Sequence, residues 1–192
     1  PKEVIKDDNN FIHVDTKKPV FVGRTEKMSK SKKNVIDPQE IISKFGADTA
    51  RFFMLSDSPP NRDMEWSDAG IDGSWRFLNK LWKFVQNLNV NNNCNDLPKD
   101  LSQPNKKLLE TLNIRVKEIT QSIDDFHFNN AVASIRSLFN SILSYNIIDE
   151  SDEKVVLYTT KKLLILINPM VPHIAEELWE TLNNSEMICN QD

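Results

Sequence analysis

The sequence predicts a mostly α-helical protein: a short β-hairpin, a polar loop and a small α/β region, followed by an antiparallel helical bundle. Three observations carry this. Apolar residues recur at intervals of three and four from Ala69 onward, the period of helices that bury one stripe. An all-apolar run, Leu163 to Ile167, ends at Asn168-Pro169, as in a helix buried on most sides. Before residue 69 the apolar residues fall instead in short β-branched or aromatic runs, the pattern of small strands.

Composition sets the outer limits. A chain of 192 residues can bury most of its apolar surface in one domain or two small ones. With 39% hydrophobic and 27% charged residues, and no apolar run near the ~20 a membrane helix requires, a soluble protein in the cytoplasm is expected. Its amino terminus, Pro1-Lys2-Glu3-Val4, shows no targeting pattern and reads as a start inside a longer protein. Cys94 and Cys189 read as cytosolic thiols, and no structural metal is expected, because neither has a His13, His127 or His173 at ligand spacing. A net charge of -4 argues against a broad basic surface, so contact with a nucleic acid must come from local patches.

Phe11 to Asp15 and Pro19 to Val22, separated by Thr16-Lys17-Lys18, predict a hairpin. The loop Gly23 to Asn34 follows, with Arg24, Lys27, Lys30, Lys32 and Lys33 against the single acid Glu26. It is the strongest positive concentration in the chain. Asp37-Pro38-Gln39-Glu40 then opens a helix: an N-cap, a proline at the first helical position and a capping-box acid. Gly46 predicts a left-handed cap, and Asp48 an N-cap for a second helix through Leu55. Pro59-Pro60 ends that helix, and Met64 to Ser67 is predicted as a short strand before a cap at Ser67 or Asp68.

From Ala69 to Asn89 the predicted inward stripe is Ile71, Trp75, Leu78, Trp82, Val85 and Leu88. A loop is expected from Asn89 to Asn105. Leu109, Leu112, Val116, Ile119, Ile123 and Phe126 then form one helix, and Phe128, Val132, Ile135, Phe139 and Ile142 a second, paired across a turn near His127. Glu153 to Asn168 makes a largely buried helix. Pro172 opens the last one, with Ile174, Leu178 and Leu182 inward and Glu176, Glu177 and Glu180 outward or towards its amino end. The helices from 69 onward suggest a bundle of five.

Lys27-Met28-Ser29-Lys30-Ser31 is the pentapeptide KMSKS. By itself it can be an ordinary solvated basic loop. Its continuation, SKKNVIDPQEIISKFGADTARFFML, resembles the segment that follows KMSKS in the Leu, Ile, Val and Met branch of the class I aminoacyl-tRNA synthetases. Residues 58 to 82, SPPNRDMEWSDAGIDGSWRFLNKLW, and the later LLILINPMVPHIAEELWETL resemble the leucyl members. The resemblance covers nearly the whole chain.

It implies a division into residues 1–67, the end of a catalytic domain with the KMSKS loop and a stem-contact region, and residues 68–192, a helical tRNA-binding domain of the anticodon-binding type. It implies that Lys30 binds ATP phosphates as the principal catalytic residue, with Lys27 assisting, and that Met28, Ser29 and Ser31 belong to the same ATP-binding loop. Chemistry supplies a reason: negative charge grows on departing pyrophosphate, and compact cations aimed there lower the barrier. Mg2+ is expected on the ATP, and tRNA(Leu) and leucine are the implied partners, with leucine held by residues outside this chain; a monomer is expected. The HIGH-type signature is absent, as none of the three histidines precedes Ile-Gly-His, so the chain alone is expected to be inert.

Arg76 and Lys80, four apart on the long helix, are the expected tRNA-phosphate contacts, with a solvated helix face as the plainer reading. Trp66, Trp75, Trp82 and Trp179 are read mainly as core and not as base-stacking platforms, and His127 and His173 as capping or packing residues. Six leucine codons make the anticodon a poor identity element, so backbone contacts are expected more than base reading. A valyl- or isoleucyl-type segment and a non-catalytic helical interaction module are the alternatives.

Overall fold

The computed structural model describes residues 4–7, 10–21, 23–88 and 97–191. The chain forms two compact units, Pro1–Ile36 and Asp37–Asp192.

The first unit is an antiparallel meander of β1 (Val4–Asp7), β2 (Asn10–His13) and β3 (Pro19–Val20), in the order β1-β2-β3. The hairpin pairs Phe11 with Val20 and Ile12 with Pro19. Its first strand stops at His13, two residues earlier than predicted, because His13 Nδ1 accepts the Asp15 amide at 3.2 Å and Lys17 turns to φ 53°. That side-chain acceptor starts the turn before the strand pattern ends. Strand β1 was not foreseen, since its single Val-Ile pair is too short to show alternation. Val22 lies outside the described residues.

In the second unit α1 (Pro38–Phe45) begins as predicted, with the Asp37 carboxylate accepting the Gln39 amide at 2.9 Å. Gly46 has φ 85° and ψ 155°, a positive φ that favours glycine but not the left-handed helical region expected. The chain turns there directly into α2 (Ala47–Asp57). Asp48 therefore does not cap α2. It sits inside the first turn, and its carboxylate is buried and spent on the other end of the sequence. Oδ2 accepts the backbone amide of Ile174 at 2.7 Å, and Oδ1 lies 3.0 Å from His173 Nδ1 and 2.6 Å from Arg51 Nη1. Helix α7 (Pro172–Thr181) has Val171 at its N-cap, a residue with no acceptor to offer. Asp48 supplies that cap from another helix.

The predicted strand at Met64–Ser67 does not form. Among the described residues no strand pairs with it, and Trp66 packs its ring edge-on against Phe53, centroids 5.3 Å apart, while its Nε1 donates to Asp68. Helix α3 (Asp68–Gln86) follows, with Ser67 accepting the Gly70 amide at 3.2 Å. Gly70 is fixed by this approach: a Cβ there would lie 2.6 Å from Phe53 Cε2. The buried stripe is Ile71, Ser74, Leu78, Leu81 and Val85, rotated from the predicted one so that Leu81 is core and Trp75 is 43% exposed.

Residues 89–96, with Cys94, lie outside the described residues. The predicted loop ends early, because Ser102 caps α4 (Gln103–Asp124) and Asn105 is already buried inside it. A turn at Asp125–His127, with Phe126 at φ 58° and two-thirds exposed, leads to α5 (Phe128–Leu143). Phe126 is thus a turn residue and not the end of the helix stripe. Helices α6 (Glu150–Ile167) and α7 complete the fold. Glu176 accepts the amide of Ile188, twelve residues further on, with both oxygens, at 3.1 and 3.0 Å, so it is not an outward charge.

The five helices expected from residue 69 onward are α3 to α7, and α2 packs with them. Phe52 of α2 stacks on Phe77 of α3 at 5.1 Å, Phe77 meets Phe139 of α5 edge-on at 5.7 Å, and the Arg136 guanidinium lies over both Phe52 and Phe77. Burial pulls the Arg136 pKa down. At the α5–α6 junction Tyr145 lies 2.5 Å from Asn105 and 2.9 Å from Asp152, whose other oxygen accepts the Ile148 amide. Burial pushes the Tyr145 hydroxyl to about 12, and the Asp152 charge adds to it. Burial alone would raise Asp152; the Ile148 amide and Tyr145 hydroxyl outweigh it and hold the carboxyl low.

Replacing Asp48 by Ala should cost about 2 kcal/mol in urea unfolding of this chain, because it strips a cap and the contacts with Arg51 and His173 from a buried site. Asp37→Ala, at an exposed cap, should cost about half as much. Equal losses would mean that the α2–α7 link contributes nothing beyond an ordinary cap.

Candidate ATP-phosphate loop and RNA-facing helix

The loop after β3 is organised by its own side chains. Asn34 reaches back across it: its Oδ1 accepts the Ser29 amide at 2.7 Å and its Nδ2 donates to the Lys27 carbonyl at 3.4 Å. Between these anchors Lys30–Lys32 forms one 3₁₀ turn, closed by Lys33 at φ 52° with its amide on the Lys30 carbonyl at 3.2 Å. Ser29 and Ser31 share a hydrogen bond between hydroxyls at 2.8 Å.

Charge is distributed unevenly along this loop. Lys32 is neutralised by Glu26 at 2.7 Å. Lys27 and Lys30 are exposed, and neither meets a carboxylate among the described residues. An exposed Lys–Glu pair contributes little to stability, but it engages one of the five cations of the loop and leaves Lys27 and Lys30 as the cations of the pentapeptide. The pentapeptide therefore presents the Lys27 and Lys30 ammonium groups on either side of Ser29, on a backbone braced by one amide side chain. Such an arrangement suits the oxygens of a polyphosphate. Met28 is 43% exposed beside them. All five predicted loop residues thus fall within one short structural feature. Sequence reasoning missed Asn34 and Glu26, although an Asn closing a polar loop is a recognisable local acceptor.

On α3, Arg76 and Lys80 are both exposed, one turn apart on the face opposite the buried stripe. Of the four tryptophans, Trp179 is core, with its Nε1 donating to the Glu186 carbonyl at 2.7 Å. Trp66 and Trp82 are half-buried and Trp75 is open to solvent. His173 meets Asp48, while His127 stands at the start of α5 without capping it through its side chain. Among the described residues no three metal-ligating side chains converge, and no helix is long and apolar enough to cross a membrane. Cys189 is an exposed thiol.

Two family models match: "tRNA synthetases class I (I, L, M and V)" over residues 4–67 and "Anticodon-binding domain of tRNA ligase" over residues 105–192. The leucine–tRNA ligase of Paramagnetospirillum magneticum is 43% identical over 98% of this chain, and that of Rickettsia bellii 41% over 99%. The chain spans 22% of the length of each of these relatives. Among solved structures, the LeuRS of Agrobacterium radiobacter, in a ternary complex with tRNA and LeuAMS, matches 84% of this chain and 21% of its own, with 26% identity and a TM-score of 0.76. The methionyl-tRNA synthetase of Mycobacterium tuberculosis shares the fold over 74% of this chain and 34% of its own, at 17% identity and a TM-score of 0.60.

Asn34→Ala should release the Ser29 amide, raising its hydrogen-exchange rate by about fivefold, the equivalent of one ordinary hydrogen bond. Exchange at Ser29 measured by NMR would contradict the brace if the rate did not change.

Proposed function

We propose that the chain, similar to leucine–tRNA ligases along almost its whole length, is one segment of a class I synthetase of that kind and supplies its ATP-phosphate loop and tRNA contacts. The whole protein activates leucine with ATP and transfers it to tRNA(Leu) in the cytoplasm, acting as a monomer. Residues 1–67 close its catalytic domain and residues 68–192 form its tRNA-binding domain, a division by function and not by compact unit.

The observation that carries the proposal is the pair of unneutralised lysines on a braced KMSKS loop, in a chain alike to leucine–tRNA ligases along almost its whole length. In activation, a leucine carboxylate oxygen forms a bond to the α-phosphorus of ATP while the bond from that phosphorus to the bridging oxygen breaks. The electron pair leaves with pyrophosphate, which carries Mg2+ as part of the substrate. Lys30 places a positive charge where this leaving group gains negative charge, and Lys27 adds a second. The stabilisation is greater in the transition state than in the ground state, so it speeds the step more than it tightens ATP binding. Ser29 and Ser31 offer hydroxyls to the same oxygens.

For tRNA, Arg76 and Lys80 form a two-cation track against phosphates. With a net charge of -4, binding by this segment is weak and falls with salt.

In the full-length protein, Lys30→Ala should slow leucine-dependent ATP–pyrophosphate exchange by about a hundredfold and leave leucine affinity unchanged. The 192-residue chain alone should show no exchange. An unaltered rate in the variant, or turnover by the isolated chain, would overturn the assignment.

A further inference from the structure

The rotated stripe of α3 leaves its aromatic residues in an unexpected place. Trp75 and Trp82, two turns apart on one side of the helix, line a recess of about 280 Å³ with Phe45 at the end of α1, Thr49 of α2, Asn79 of α3 and Ile174 of α7. The recess lies just below the ~300 Å³ at which sites for drug-sized ligands begin, so it suits a single flat ring system. Its lining carries no charge. Three of its walls are aromatic rings, and Trp75 gives up 43% of its surface to solvent.

Polar groups are present at two points. The Asn79 Nδ2 donates to the Trp75 carbonyl at 2.8 Å, which orients the amide and leaves its Oδ1 free to accept. Thr49 adds a hydroxyl. Three cations belong to residues next to this lining: Lys44 Nζ lies 4.5 Å from the centre of the Phe45 ring, and Arg76 and Lys83 stand three before and four after Asn79, both exposed. The acids near it are Asp72, one turn before Arg76, and Glu177, one turn beyond Ile174, while Asp48, which accepts the Ile174 amide, is already paired with Arg51.

We propose that this recess receives one unpaired nucleobase of the bound tRNA, stacked against Trp75 with its polar edge on Asn79, while Arg76 and Lys83 meet the phosphates on either side. Flat aromatic walls, one amide able to donate and accept, and flanking cations are what a splayed-out base and its backbone require. An apolar protein side chain would use the rings but neither the amide nor the cations. The inference rests on the tRNA-binding reading of this domain and adds to it a base contact where only phosphate contacts were expected.

The test is binding of tRNA(Leu) transcript to the full-length protein across a salt series. Trp75 is exposed, so Trp75→Ala leaves the core intact. It should weaken binding by about tenfold at every salt concentration with the slope of log K against log salt unchanged, and Trp75→Phe should recover most of the loss. Arg76→Gln should instead lower the slope by about one. Unchanged affinity in Trp75→Ala, or a loss that Trp75→Phe does not recover, overturns the base contact. Failure of the wild-type protein to bind tRNA at all would defeat the tRNA-binding reading itself, a distinct result.

Discussion

The helical unit depends on one buried carboxylate. Asp48, near the start of α2, caps the amino end of α7 across 126 positions of sequence and holds Arg51 and His173 at the same point. A charged group that deep is costly unless it is well hydrogen-bonded, and here the Ile174 amide, the Arg51 guanidinium and the His173 imidazole meet its two oxygens. The consequence is architectural. With α7 fixed to α2, Phe52 is presented to Phe77, and the ring series continues to Phe139. The segment that follows the KMSKS loop in sequence becomes part of the same packed body as the later helices.

Much of this was legible in the residues. Asp37-Pro38, Ser67 and Pro172 announce helix starts by local chemistry, and each start is where that chemistry puts it. The stripe on α5 was read correctly at Val132, Ile135, Phe139 and Ile142, because no competing aromatic residue offers a second face. Helix α3 shows the opposite case. Ile71 and Leu78 are shared by two stripes, one through Trp75 and Trp82 and one through Ser74 and Leu81, and hydrophobicity favours the wrong one. Periodicity gives the helix but not its phase when large apolar residues lie on both sides.

Asp48 was misread for a different reason. A carboxylate after a glycine has the local signature of an N-cap, and the partner it actually serves is remote in sequence. The loop divides in the same way. Its cations and serines could be named from the pentapeptide, but which lysine is neutralised depends on Glu26 reaching Lys32, six residues on. The Asn34 brace likewise appears only when the loop is folded. The candidate residues of this loop are thus set by sequence, and their availability by short-range contacts that sequence does not display.

The division of labour within the chain is the central claim: cations of the loop for ATP, cations of α3 for tRNA. Lysine labelling of the full-length protein, read residue by residue with ATP or with tRNA(Leu), tests it in one measurement. ATP should shield Lys27 and Lys30 and leave Lys80 reactive, whereas tRNA should shield Lys80. Labelling of these three lysines that is the same with either ligand as without would contradict the account.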